Sequence, residues 1–196
     1  MPSRNTKFAQ GCYYHMYNRG ARRQSIFRCD ENYRYLLRLM KKVADECALT
    51  IIAYCLLPNH YHWLIRQDGV IAANLLPKRV FGSYAQAFNN MYGLSGTLFE
   101  DRVDIIHVET DDYRRNLCRY IHANPVRHGL AFAPDLWPYS NYLEWINARD
   151  GTLVDQTFVQ THFPATGSYQ QFVLEYLQNR GQLPKGLNTY LQTLEG

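Results

Sequence analysis

Hydrophobic and polar positions change period several times along the chain, and each change predicts an element. Residues 12–19 (CYYHMYNR) alternate with period two and are rich in tyrosine, which predicts a strand ending at Gly20. Residues 32–47 place Tyr35, Leu36, Leu39, Met40 and Val43 at helical spacing, a helix that starts near Asp30. Residues 50–57 form an apolar strand, Pro58 and Asn59 a turn, and residues 60–66 a second apolar and aromatic strand. A second helix is expected over residues 71–91, interrupted near Pro77, and a fourth strand over 103–108. This β-α-β-β-α-β order is that of a split, ferredoxin-like antiparallel sheet, an α+β fold whose third strand is central.

That third strand carries His60 and His62 within LPNHYHWLI. Strand side chains alternate faces, so the two imidazoles share one face while Tyr61, Trp63 and Ile65 take the other. Neutral imidazole is a common ligand for divalent metals. On the residues alone the pair fits either a metal site or two hydrogen-bonded histidines.

Residues 111–125 (DDYRRNLCRYIHANP) follow the fourth strand closely. Tyr113, Leu117, Tyr120, Ile121 and Asn124 recur at spacings of three and four, on one helical face, with Arg115, Arg119 and His122 mostly on the other. Thr110 or Asp111 caps the start, and Pro125 is expected to end the helix at about Asn124. Tyr120 and Asn124 therefore project together, roughly 6 Å apart. Taken alone, a tyrosine on such a face also fits plain core packing with its hydroxyl at the edge.

Residues 135–168 read as loop and short elements, broken by Pro138, Gly151, Pro164 and Gly167. Phe172, Val173, Tyr176 and Leu177 place a helix over 169–178 that packs back on the core. The expected division is a domain over residues 1–145 and a C-terminal extension over 146–196.

Composition refines the picture modestly. At 196 residues and 46% hydrophobic, the chain can bury one sizeable core. Its net charge is +4, and in residues 151–196 Arg180 and Lys185 are outnumbered by Asp155, Glu175 and Glu195. The basic character thus belongs to the part that carries the motifs, which suits a polyanionic partner. Five cysteines without a CxxC pair suggest neither a disulfide framework nor a zinc knuckle. No apolar run approaches the roughly 18 residues of a membrane span, and MPSRNTKFAQ lacks a signal-peptide apolar region. A cytoplasmic protein with no membrane partner is the expectation.

Two segments together resemble a known family. His60-Tyr61-His62 resembles the HUH motif, and Tyr120 with Asn124 resembles the tyrosine helix of single-tyrosine HUH transposases. More closely, the chain is similar to the REP-associated tyrosine transposases from Tyr14 to about Tyr142. The similarity is carried by YHMYNRG with RQSIF (residues 14–20 and 23–27), LLPNHYH (56–62), GTLF before Arg102, YIHANPVRHGL (120–130) and WPYS (137–140). One departure is Tyr61, a phenol where the motif takes a hydrophobe, whose role would be packing on the face away from the metal.

The resemblance implies a metal-dependent single-stranded DNA endonuclease and strand transferase acting on hairpin DNA. His60, His62 and Asn124 would hold one Mg²⁺ or Mn²⁺, and Tyr120 would attack the phosphate to give a 5′-phosphotyrosine link. A free phenol titrates near 10, so about a thousandth is ionised at neutral pH and deprotonation needs assistance. Single-stranded or hairpin DNA of the repetitive extragenic palindrome type is the implied partner, bound at the nucleoid. The short link into the tyrosine helix favours a monomer with its active site in cis. DNA contacts are expected from Arg19, Arg22 and Arg23 in the glycine-containing loop, and from Lys78, Arg79, Arg102, Arg127 and His128. Two other readings stand beside it: a domesticated, non-cleaving DNA-binding protein of the same fold, and a metal-dependent hydrolase unrelated to DNA.

Overall fold

In the computed structural model, which describes residues 6–178 and 182–195, the chain begins with β1 (Tyr13–Arg19) and α1 (Asp30–Cys47). The hairpin β2 (Leu49–Leu57) and β3 (His60–Gln67) follows, then α2 (Leu75–Tyr92), β4 (Asp104–His107) and α3 (Asp111–Arg127). Four further helices complete it: α4 (Tyr142–Trp145), α5 (Gln156–His162), α6 (Ser168–Leu177) and α7 (Lys185–Glu195). The strands form one antiparallel sheet in the order β2-β3-β1-β4. This is the expected α+β split arrangement, and β3 is central.

Alternation along β1 and β3 divides the core into two clusters. Tyr14, Met16, Tyr61, Trp63 and Ile65 pack with α1 and α2, whereas Tyr17 and Leu64 pack with α3 and the C-terminal helices. Tyr61 is fully buried, stacked on Phe81 and tilted against Trp63, so its departure from the motif is absorbed by aromatic packing away from the histidine face.

Several boundaries differ from those expected. α2 starts at Leu75 and runs uninterrupted, because Pro77 falls in its first turn, where an N–H has no helical partner to lose. β4 is only four residues long. α3 continues through Pro125 to Arg127. Proline removes one hydrogen bond there, and the end is closed by His128 N–H on the Asn124 carbonyl (2.9 Å) and Leu130 N–H on the Pro125 carbonyl (2.8 Å). Thr110 is the cap, its hydroxyl accepting from Tyr113 N–H.

The far face of α3 is the largest correction. Arg119 and His122, expected on the polar side, are buried under α6 and its neighbours. The Arg119 guanidinium lies over the Phe172 and Tyr176 rings and donates to the Gln182 carbonyl at 2.7 Å. His122 donates from Nε2 to Asn141 Oδ1 (2.8 Å) and accepts at Nδ1 from the Tyr169 hydroxyl. A helix buried on both sides mixes polar and apolar residues all round and blurs its own stripe.

The WPYS segment covers the outer edge of β2. Leu56 N–H donates to the Tyr139 carbonyl, Trp137 Nε1 donates to the Leu56 carbonyl, and Asn141 accepts from Tyr54 N–H and donates to the Ile52 carbonyl. These bonds satisfy an edge that would otherwise pair with another chain.

Candidate active site

The register of the sheet builds the site. On the face under α3, Tyr17 stands opposite His62 and Arg19 opposite His60 across the β1–β3 pair. His62 is fully buried and His60 nearly so. Their rings meet edge to face with centroids 5.4 Å apart. The Tyr17 ring lies 4.9 Å from that of His62.

α3 brings the tyrosine onto this pair. The Tyr120 ring meets His62 edge-on at 5.3 Å, within one chain. One turn further, Asn124 is fully buried, its amide nitrogen makes no hydrogen bond, and its oxygen takes one long 3.4 Å contact from Arg127. The Arg127 guanidinium covers the Tyr120 ring at 4.7 Å, and the His128 ring stands 5.0 Å from His60. A cavity of about 170 Å³ opens beside them, lined by Tyr17, Arg19, Arg23, Asn59, His60 and His128.

The protonation of this cluster suits a metal. His60 Nδ1 is engaged by Asn59 Oδ1 at 2.7 Å and His62 Nδ1 by His15 Nε2 at 3.1 Å, leaving Nε2 as the remaining nitrogen of each ring. Burial, and then Coulombic coupling to the neighbouring His15, His60, His128 and Arg127, push the His62 pKa well below 6.5, so the ring is neutral. His62 Nε2 is buried without a hydrogen-bond partner. Tyr61, Trp63, Arg115 and Arg119 also leave buried donors unbonded among the described residues. Trp63, Arg115 and Arg119 offer only N–H donors and the Tyr61 hydroxyl lies on the other face of the sheet, whereas the neutral His62 ring and the Asn124 carboxamide oxygen have electron pairs that a cation can use under α3. A carboxamide turned by 180° has nearly the same shape, so the Asn124 oxygen can face the space its nitrogen now occupies. Among the described residues no cluster of three or more His, Cys, Asp or Glu could hold a metal. Any cation here would rest on imidazole and carboxamide donors, and the orphaned His62 Nε2 and Asn124 amide fit one.

The profile of the family described as "Transposase IS200 like" matches residues 8–124, which include both histidines, Tyr120 and Asn124. The chain belongs to that family. Among solved structures, a REP-associated tyrosine transposase bound to a REP hairpin aligns with a TM-score of 0.63 at 20% identity, covering 79% of this chain and 94% of that one. A protein of Deinococcus radiodurans R1 assigned as a transposase aligns with a TM-score of 0.43 at 16% identity, covering 61% and 95%. No curated protein matches. No described helix is long and apolar enough to cross a membrane.

The basic residues expected to meet DNA are not all gathered at this site. Arg19 and Arg23 line the cavity, with Arg19 also paired to Glu100. Arg22 and Arg23 both take left-handed backbone angles (φ 55° and 57°), which cost a side chain roughly 1–2 kcal/mol each. Gly20 makes that loop possible: a Cβ there would lie 2.1 Å from the Gln24 carbonyl oxygen. Arg127 and His128 flank Tyr120 and His60. Arg102 is exposed in the segment before β4. Lys78 and Arg79 lie on α2, which packs against the opposite face of the sheet, and Arg79 pairs with Glu46 at 3.5 Å.

Sequence reasoning passed over three side chains at this site. His15 and Tyr17 share the face of the histidine pair, and the period-two rule applied to YHMYNR would have placed them there. Tyr190 of α7, 3.2 Å from His15 Nδ1, carries no local signal.

Buried neutral histidines make the fold sensitive to acid. Burial lowers the pKa of His122 to about 4 and that of His15 to about 3, against 6.5 for a free ring. The unfolded chain therefore takes up protons first as pH falls, and stability is lost from about pH 6.5 downward, by roughly 2 kcal/mol for His122 alone at pH 5. The urea midpoint should fall between pH 7 and pH 5, and His122→Gln should lessen that fall. An unchanged midpoint would contradict the buried neutral assignment.

Proposed function

We propose that this protein is a metal-dependent single-strand DNA endonuclease and strand transferase that acts on hairpin DNA through Tyr120. The observation that carries the proposal is the contact of the Tyr120 ring with His62, whose Nε2 is buried, neutral and without a partner. His60 and His62 would offer Nε2, and Asn124 its amide oxygen, to one Mg²⁺ or Mn²⁺. Bound there, such an ion supplies Lewis-acid polarisation of a phosphate, undiminished by its three neutral ligands.

The chain's own residues account for the rest. Tyr120 Oη attacks the phosphorus of a phosphodiester, forming the tyrosyl ester and breaking the bond to the 3′ oxygen. The phenol gives up its proton and the departing 3′ oxygen takes one, so the exchange is balanced and can run backward to rejoin strands. Arg127, lying over the ring, stabilises negative charge as it develops on the phenol oxygen. Core packing of Tyr120, 1% exposed, limits its ring to small excursions, so that the substrate strand comes to the tyrosine. All of these side chains belong to one chain, in keeping with an active site in cis.

Arg19, Arg22, Arg23, Arg127 and His128 would hold the phosphates of the flanking strand. The solved relative carries a REP hairpin, which makes hairpin DNA the partner to test first. Charge reversal at Arg22 and Arg23 together should weaken hairpin binding and reduce the slope of log affinity against log salt by about 1.5–2. A slope equal to wild type would place the DNA elsewhere.

Labelled hairpin DNA incubated with the protein and Mn²⁺ and run on a denaturing gel tests the function. A protein-linked DNA band is expected. Binding without any cleavage would favour a non-cleaving DNA-binding protein, and neither binding nor cleavage would remove DNA from the account.

A further inference from the structure

α7 is tied to the histidine pair through a chain of three rings. The Tyr190 hydroxyl lies 3.2 Å from His15 Nδ1, and His15 Nε2 lies 3.1 Å from His62 Nδ1. The two imidazole planes are within 3° of each other, and Tyr190 meets His15 at 85°. His15 is fully buried on β1. α7 is held in place independently of Tyr190: Leu187, Leu191 and Leu194 are buried, and the Tyr17 hydroxyl donates to the Leu194 carbonyl at 3.0 Å.

A neutral imidazole carries one N–H and one lone pair, so protons can run along this chain in only two directions. In the first, His62 Nδ1–H donates to His15 Nε2 and His15 Nδ1–H donates to the Tyr190 oxygen. This leaves the lone pair of His62 on Nε2. In the second, Tyr190 donates to His15 Nδ1, His15 Nε2–H donates to His62 Nδ1, and the His62 proton is forced onto Nε2. That nitrogen is buried with no acceptor, an arrangement that folded proteins avoid for N–H groups.

We propose that His15 and Tyr190 are positioning residues that hold His62 in the Nδ1–H form with its Nε2 lone pair presented to a divalent cation. The inference rests on the metal reading of the histidine pair given above. It also assigns a task to α7: the helix supplies the acceptor that anchors the proton chain at its outer end. Groups behind a ligating histidine fix its tautomer and orientation, and their loss weakens metal binding by about 10–100-fold. Here the group behind the ligand is a second imidazole, itself steered by a phenol.

Two measurements on the metal-free and Mn²⁺-loaded protein test this. Long-range ¹H–¹⁵N spectra of the metal-free protein should show His62 protonated on Nδ1. Calorimetric titration with Mn²⁺ should show affinity reduced about tenfold in Tyr190→Phe and by up to about a hundredfold in His15→Phe, with metal-free hairpin binding unchanged in both. If His15→Phe does not fold, Tyr190→Phe decides, since α7 keeps its leucine contacts. A His62 proton found on Nε2, or a Tyr190→Phe affinity equal to wild type while His62→Ala has lost Mn²⁺ binding, overturns the positioning role. Mn²⁺ binding that survives in His62→Ala overturns the metal reading itself, and the positioning role with it.

Discussion

Tyr120→Phe should form neither nicked product nor covalent adduct, while binding hairpin DNA as the wild type does. Tyr120 is 1% exposed and packs in the cluster with Tyr17, Leu64 and Ile121. Phenylalanine keeps that ring and removes only the oxygen, so the stability cost should stay near the roughly 1 kcal/mol of one hydrogen bond. Without the oxygen there is no nucleophile, and loss of activity should be complete rather than partial. Tyr113 supplies the control on the same helix. It is two turns earlier, its hydroxyl roughly 10 Å along the axis from that of Tyr120, and burial raises its pKa to about 12. Tyr113→Phe should cleave normally. An adduct that persists in Tyr120→Phe and disappears in Tyr113→Phe would overturn the assignment.

The second large effect is expected at the histidines. His60→Ala or His62→Ala should reduce cleavage with Mn²⁺ by about a thousandfold or more, the equivalent of roughly 4 kcal/mol of transition-state stabilisation. Hairpin binding should be largely spared, because most of its affinity comes from phosphate contacts made by arginines. His60 is the cleaner position, at the rim of the cavity, whereas His62→Ala also opens a hole under α3 and calls for a thermal melt alongside. Cleavage by His60→Ala at the wild-type rate would remove the metal from the account.

The sheet and the histidine face were legible in the sequence because a period-two pattern is a local property of each strand. Once residues 60–66 are read as a strand, His60 and His62 must share a side, and the β-α-β-β-α-β order makes that strand central. Tyr120 and Asn124 were legible through helical spacing, and their meeting with His62 followed from the short link between β4 and α3. What escaped was long-range covering. Arg119 and His122 read as a polar face because nothing near them in sequence announces α6 lying on top. Pro125 reads as a stop, yet the backbone bonds after it close the helix two residues later. Tyr190 lies 175 residues from the His15 it meets, and no pattern within α7 points to a strand at the other end of the chain. Lys78 and Arg79 show the reverse limit: basic composition marks them as candidates, but only the topology places them across the sheet from Tyr120.

If Tyr120 is the nucleophile, one phenol becomes covalently joined to DNA. Mass spectrometry of the protein after reaction with hairpin DNA and Mn²⁺, followed by nuclease and trypsin digestion, tests it directly. Trypsin releases residues 120–127, whose single tyrosine is Tyr120, separately from residues 103–114, which hold Tyr113. A nucleotide remnant is expected on the 120–127 peptide alone. A remnant on any other peptide, with 120–127 unmodified, would contradict it.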